Sequence, residues 1–144
     1  MSYPVSDISR YIIFYSNQKN YGITPLRLQK ILYFVQMYFL KIRGTICFNK
    51  DIEAWGFGPV IPSVWKKYLR FGCGQICDYR DPKVQFNNKI DKQIVEGVID
   101  LLAEYSTSKL VDISMNQSPY LLAKDGYITI QSMQKFIAKQ GESK

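Results

Sequence analysis

Apolar residues recur at three- and four-residue spacing along most of this chain, the pattern of helices that bury one face. The strongest stretch is 24–43, TPLRLQKILYFVQMYFLKIR. Leu28, Ile31, Leu32, Val35, Tyr38, Phe39 and Ile42 form one broad face, and Tyr33, Phe34, Met37 and Leu40 extend the apolar surface beyond it. A polar seam of Gln29, Gln36 and Arg43 remains. A helix this apolar has to be covered on several sides, so it is expected at the centre of the fold. Thr24 can cap its first turn, Pro25 suits the first helical position, and Gly44 suits the end. Its length is about 30 Å at 1.5 Å per residue.

The other elements are read around this helix. Ser6 or Asp7 can cap a first helix to about Asn20, with Ile8, Tyr11, Ile12 and Tyr15 as its stripe and Asn20-Tyr21-Gly22 as the turn after it. Residues 45–48 and 52–55 are β-branched and aromatic, with Asn49-Lys50-Asp51 as a turn, which predicts a small hairpin or two extended segments. Gly56-Phe57-Gly58-Pro59 should break strand and helix alike. Pro62 then opens a helix over about 63–70, with Val64, Trp65, Tyr68 and Leu69 as its apolar positions, ended by Phe71-Gly72-Cys73-Gly74. Residues 75–90 read as a long, mobile loop. A helix over 91–105 carries Ile94, Val95, Val98, Leu101, Leu102 and Tyr105, and 106–108 offer caps for a short helix through Leu110 and Ile113. Ser118-Pro119-Tyr120 should break the chain, Asp125-Gly126 should turn it, and Thr129 can cap a last helix with Ile130, Met133, Phe136 and Ile137. The expected fold is mainly α: a single domain over 1–144, frayed at about 140–144, with a β element near 45–55.

The totals agree with that picture. A chain of 144 residues with 47% hydrophobic and 15% aromatic content has the material for one packed core. Arg27, Lys30 and Lys41 interrupt the best candidate for a membrane span. The opening MSYPVSDISR lacks a charged-then-apolar signal, and three scattered cysteines fit reduced thiols, so a cytoplasmic protein is expected. The net charge of +7 falls entirely within residues 1–72. Such an excess suits an acidic partner, a phosphate backbone or a solubilising surface.

The chemical inventory is thin. There is no histidine, which removes Ser-His-Asp, Cys-His and His-zinc catalysis. Phosphate-binding loops and calcium loops are absent as motifs. Cys73 and Cys77, beside Asp78, stand four apart, and a zinc site there would need Cys47 and a carboxylate to complete it; idle thiols are the simpler reading. Asp51 and Glu53 would share one face of an extended strand as paired acids could, or serve as salt-bridge acceptors for Lys50, Lys66 or Lys67. No cofactor or metal is expected, and an enzyme is the weakest reading.

The most distinctive stretch is 51–68, DIEAWGFGPVIPSVWKKY, where two tryptophans, a phenylalanine, two glycines and two prolines share a sharply turning segment. Glycine and proline fix such a backbone, while Trp55, Phe57 and Trp65 supply rigid apolar area of the kind found at binding hot spots. Alternatively, the aromatics plug the hairpin onto the central helix, a reading that suits Trp55 and Trp65 better than Phe57.

These residues resemble the SocA-like antitoxin, or Panacea, domain family. The resemblance rests on Arg27-Leu28-Gln29-Lys30 at the helix start and on Ala54-Trp55-Gly56-Phe57-Gly58-Pro59-Val60-Ile61-Pro62. A later family segment maps onto Leu110, Ser114, Met115, Pro119 and Tyr120, with Met115 in place of a histidine and Tyr120 in place of a tryptophan. It covers about 8–137. It implies a non-enzymatic helical domain that neutralises a cognate toxin by binding it, in a family that includes phage-associated members and one adaptor that delivers its toxin to a protease. The expected partners are therefore a toxin, a protease or chaperone in the adaptor mode, and possible further copies of the chain. Candidate contact residues are Trp55, Phe57, Gly58, Pro59, Lys66, Lys67 and Tyr120, on a frame set by Leu28, Gln29, Lys30, Ala54, Pro62 and Trp65. The competing reading is a nucleic-acid-binding accessory protein using the basic N-terminal half, although its Lys and Arg are dispersed and no DNA-reading motif is present.

Overall fold

Helix α2 (Pro25–Arg43) is the axis on which the other elements pack. The computed structural model describes residues 2–123 and 126–142. Thr24 accepts the Arg27 N–H at 3.2 Å, Pro25 opens the helix, and Gly44 closes it in the left-handed conformation at φ 71° with its N–H on the Leu40 carbonyl. Burial runs unbroken from Leu28 to Met37 and includes Phe39 and Leu40. Two positions of the expected face differ: Tyr38 is half-buried and Ile42 is 56% exposed. Both border a groove of about 370 Å³ between α2 and α4 (Lys89–Leu102), where Gly97 has no side chain to fill the gap.

Helix α1 (Val5–Gln18) starts directly after Pro4, so Ser6 and Asp7 lie inside its first turn and neither caps it. Asp7 pairs instead with Arg10 at 2.5 Å. The turn after α1 places Asn20 at φ 60° and Gly22 at φ 75°. Tyr11, on α1, donates its hydroxyl to Glu96 of α4, and Tyr15 and Tyr21 donate theirs to Asp100.

The β element is real but shifted along the chain. Residues 45–48 form no strand; they contribute one parallel bridge, between Phe48 and Tyr3. The hairpin is β1 (Ile52–Trp55) with β2 (Gly58–Val60), in register Glu53 with Val60, Ala54 with Pro59 and Trp55 with Gly58. The Gly-Pro segment expected to break a strand therefore builds one. The sheet order is β2-β1-β3, with β3 (Tyr127–Ile128) on the far side of β1. Pro59 thus stands on an edge strand, where its missing N–H interrupts no ladder.

Helix α3 (Pro62–Tyr68) passes into a 3-10 turn (Leu69–Phe71) that leaves Leu69 exposed, not inward. Residues 72–88 have no helix or strand, yet three points fasten them to the body. Ile76 is fully buried with its N–H on the Ile23 carbonyl, the Asn17 amide donates to the Ile76 and Asp78 carbonyls, and Phe86 packs against Tyr3 and Tyr11.

Asn88 caps α4 by accepting the Asp91 N–H. Along α4, Leu101 faces the groove and Tyr105 lies past the helix end; both are exposed, contrary to the sequence pattern, while Ile99 and Asp91 are buried. Ser106 caps α5 (Thr107–Met115). Residues 118–120 do not simply break the chain; they start a short α6 (Ser118–Leu121), whose first turn tolerates the missing N–H of Pro119. Thr129 caps α7 (Ile130–Glu142) by accepting the Ser132 N–H. Asp125 of the expected Asp125-Gly126 turn lies outside the described residues, as do Ser143 and Lys144 of the tail. The domain is mainly helical, with one small antiparallel sheet at the side of α2.

Candidate partner-binding face

Gln29 and Lys30, on the first turns of α2, hold the hairpin from below. The Gln29 side-chain oxygen accepts the Ile61 N–H at 2.7 Å, and Lys30 Nζ donates to the Pro59 carbonyl at 2.8 Å. Backbone groups buried in an irregular connection need partners, and here a helix supplies them through side chains. Gln36 does the same two turns further on: its amide donates to the Phe48 carbonyl, and its oxygen accepts the Cys47 and Phe48 N–H groups. The polar seam of α2 is therefore an internal fastening. Only its last member, Arg43, reaches outward, pairing with Asp91 at 3.2 Å.

Lys30 has no solvent exposure. Its Nζ lies 5.4 Å from the centre of the Phe57 ring, and among the described residues no carboxylate pairs with it. Burial pushes its pKa down from 10.5 to about 7. Gly58, at φ 110°, makes this approach possible. A Cβ there would sit 3.0 Å from Lys30 Nζ and Cε and 3.2 Å from Ser114 Oγ of α5. Three segments distant in sequence thus close on one glycine.

Above this clamp, Trp55, Phe57 and Trp65 form a mutually packed trio with ring centres 5.3 to 6.3 Å apart, each ring half-buried. The Trp55 indole donates to Glu53 at 3.0 Å, and Tyr120 of α6 donates its hydroxyl to the Trp55 carbonyl. An apolar hollow of about 330 Å³ opens beside the trio, lined by Phe57 and Trp65 together with Thr24, Leu26, Gly72 and Cys73. Lys66 and Lys67, the two residues after Trp65 on α3, stand exposed, with Lys67 over the Tyr68 ring.

The candidate residues therefore divide by depth. Trp55, Phe57, Lys66 and Lys67 present surface, whereas Gly58 and Pro59 are buried and shape the hairpin. Tyr120 ties the hairpin to α6. Of the frame, Leu28, Gln29 and Lys30 are buried, while Ala54, Pro62 and Trp65 are half-buried. Sequence reasoning missed Leu26 and Cys73 as lining, and the closure of Ser114 on Gly58. The one legible clue was Lys30, a cation inside an otherwise apolar helical run.

Much of the N-terminal basic excess is used internally. Arg27 donates to the Leu102 and Tyr105 carbonyls at the end of α4 and to Thr107, Lys30 is buried, and Arg10 and Arg43 are paired. Asp51 is exposed, while Glu53 is occupied by Trp55. Cys47 is buried with its thiol pKa pushed up by that burial, while Cys73 and Cys77 are exposed. Among the described residues no group of three Cys, Asp or Glu is placed to hold a metal ion. Purified protein is accordingly expected to carry well under one zinc per chain, with a melting temperature unmoved by chelator. Stoichiometric zinc surviving dialysis would contradict this.

The family model described as "Antitoxin SocA-like, Panacea domain" matches residues 28–120, from the α2 clamp to the tyrosine that ties down the hairpin. The chain belongs to this family. It is 38% identical over 76 residues to Antitoxin SocA of Caulobacter vibrioides (strain NA1000 / CB15N), a match covering 53% of this chain and 36% of that relative. The chain thus aligns with little more than a third of that curated protein's length. No solved structure matches it. For this Panacea-family chain, the matched span contains every part of the clamp: Gln29 and Lys30, the hairpin, Ser114 and Tyr120. No described helix is long and apolar enough to cross a membrane.

Proposed function

We propose that this protein is an antitoxin that works in the cytoplasm without catalysis of its own, neutralising a toxin by direct binding through the hairpin–α3 face. The carrying observation is the rigid aromatic trio of Trp55, Phe57 and Trp65, half-exposed on a hairpin that Lys30, Gln29 and Tyr120 fasten to the core. Preorganised aromatic area loses little entropy on binding, which is why such side chains dominate interface energetics. Family membership supports the same reading. In this proposal Trp55, Phe57, Lys66 and Lys67 make the contacts, and Gly58, Pro59 and Tyr120 hold their geometry. Delivery of the bound toxin to a protease, with or without a chaperone, is a variant of the same mechanism, and a phage or prophage setting would fit it.

The test is co-expression with any small open reading frame found next to its gene. That frame should be toxic alone and harmless alongside this protein, and the two should co-purify. Under direct inhibition the toxin stays at full level while inactive; under adaptor delivery its level falls when the host proteases are intact. Absence of any partner whose toxicity this protein relieves would sink the reading.

Salt separates it from nucleic-acid binding. Neutralising several phosphates releases counterions, so DNA or RNA affinity should fall roughly a thousandfold between about 50 and 200 mM salt. An interface centred on aromatic anchors should weaken only modestly over that range. Tight, salt-resistant and sequence-selective DNA binding with no protein partner would favour the nucleic-acid reading.

A further inference from the structure

We propose that the groove between α2 and α4 is a homodimer interface, in which α4 packs antiparallel against α4 of a second copy of this chain. The proposal concerns a different face from the hairpin and does not depend on the antitoxin reading.

Tyr38 and Ile42 form the α2 side of this groove, and Ile90, Ile94, Gly97 and Leu101 run along its α4 side. Ile94 is buried, while Ile90 and Leu101 are 45% and 44% exposed. Three observations select a second copy as the occupant. The first is Gly97. Glycine is a poor residue inside a helix, and a Cβ added here would meet nothing within 4 Å. The single chain therefore gives no reason for a glycine at this place. A helix laid against α4 does, because backbones approach closely only where a side chain is missing.

The second is spacing. Ile90, Ile94, Gly97 and Leu101 follow one another at intervals of four, three and four residues, the same in either direction. Their centre, between residues 95 and 96, is also the centre of α4 (Lys89–Leu102). A two-fold interface needs a patch that matches itself, residue i meeting j and j meeting i. Reversing α4 about its centre sets Ile90 opposite Leu101 and Ile94 opposite Gly97, twice each, so that a branched side chain always faces the gap.

The third is charge. Lys89 stands one turn before Gln93 of the groove lining. Glu104 stands three residues after Leu101, in a turn whose Ala103 N–H still reaches the Ile99 carbonyl. Both are exposed, and neither forms an ion pair among the described residues. The intervening carboxylates, Glu96 and Asp100, are turned to α1 by Tyr11, Tyr15 and Tyr21. Antiparallel packing brings Lys89 of each copy beside Glu104 of the other, whereas parallel packing would set like charges together. A helix of another protein has no cause to match this reversal; a second copy matches it by symmetry.

Sedimentation equilibrium on the full-length protein reads the association directly. The expected result is a mass of two chains at about 100 µM, falling toward one chain below about 1 µM, as a micromolar dissociation constant requires. Leu101→Lys, at an exposed position, should leave the circular dichroism spectrum unchanged and weaken association at least about tenfold. Gly97→Leu should weaken it as much without lowering the melting temperature of the dilute protein, because the added side chain meets open space in the single chain. Glu104→Lys should weaken association, and adding Lys89→Glu to it should restore the dimer. Orientation is read by cross-linking in a Cys73→Ser/Cys77→Ser background, both exposed positions. Oxidising an equal mixture of Ile90→Cys and Leu101→Cys chains should give the mixed dimer, since like positions lie about 16 Å apart along antiparallel helices. A single-chain mass at the highest concentration overturns the proposal. So does a dimer indifferent to both Leu101→Lys and Gly97→Leu, which would place the contact elsewhere. Preferred cross-linking of Ile90→Cys chains to one another would show parallel packing and overturn it as well. A monomeric wild type whose groove variants lose toxin neutralisation would assign the groove to a foreign partner instead.

Discussion

Replacing Lys30 by methionine is expected to remove a pH dependence of stability that the wild-type protein shows between pH 7 and 9. Lys30 is buried against the Pro59 carbonyl and the Phe57 ring with no carboxylate partner, and its pKa falls from 10.5 to about 7. The folded state therefore binds this proton less readily than the unfolded chain. The resulting cost is fully present below about pH 7 and fades as pH rises toward 10.5, so stability should climb across that interval. At 1.36 kcal/mol per pH unit, this amounts to about 2–3 kcal/mol between pH 7 and 9. Other groups act in the opposite direction at higher pH. Cys47, Tyr11, Tyr15 and Tyr33 have pKa values raised by burial, so their contributions are lost above their unfolded values, 9.0 for the thiol and 10.0 for the phenols. Urea unfolding of wild type and Lys30→Met at pH 7, 8 and 9 isolates the lysine. Parallel curves for the two proteins would show that Lys30 stays charged in its buried position.

The second large effect concerns the centre of α2. Leu32→Ala and Val35→Ala, both at positions with no solvent exposure, should each cost about 2–4 kcal/mol through lost burial and residual cavity. For a chain of this size that corresponds to a fall in melting temperature of roughly 6–15 °C. Ile42→Ala, on the same helix but 56% exposed, should stay within about 0.5 kcal/mol of wild type. Calorimetry on the three variants checks both the depth of the core and the point where its cover ends. A melting temperature within a degree or two of wild type for Leu32→Ala or Val35→Ala would mean that α2 is not enclosed.

Elements whose signals are local can be read from the order of residues alone. The extent of α2 followed from Thr24, Pro25 and Gly44, because capping and helix termination act over a single turn. Ser106 and Thr129 were legible as caps for the same reason. The central place of α2 followed from apolar residues on almost every side, which no surface helix can tolerate. The Ala54–Pro62 motif carried the family, because its glycines and prolines constrain the backbone whatever surrounds them. Where the chain's polar groups go follows from its packing. Gln29 and Gln36 read as part of a polar seam in a one-dimensional pattern, yet they and the neighbouring Lys30 satisfy the backbone of segments 11 to 32 residues away. Gln36 takes the Cys47 and Phe48 N–H groups and the Phe48 carbonyl, so beyond the single bridge to Tyr3 this stretch builds no strand despite its composition. Pro59 could join a strand only because β2 lies at the sheet edge, a position fixed by the pairing of β1 with β3 from the far end of the chain. The face beside the hairpin has the same origin: Leu26, Phe57, Trp65 and Cys73 share a hollow because α2 pulls Pro59 and Ile61 onto its first turns. Spacing and propensity act between near neighbours, whereas a buried polar atom takes whichever partner the packed chain brings within about 3 Å.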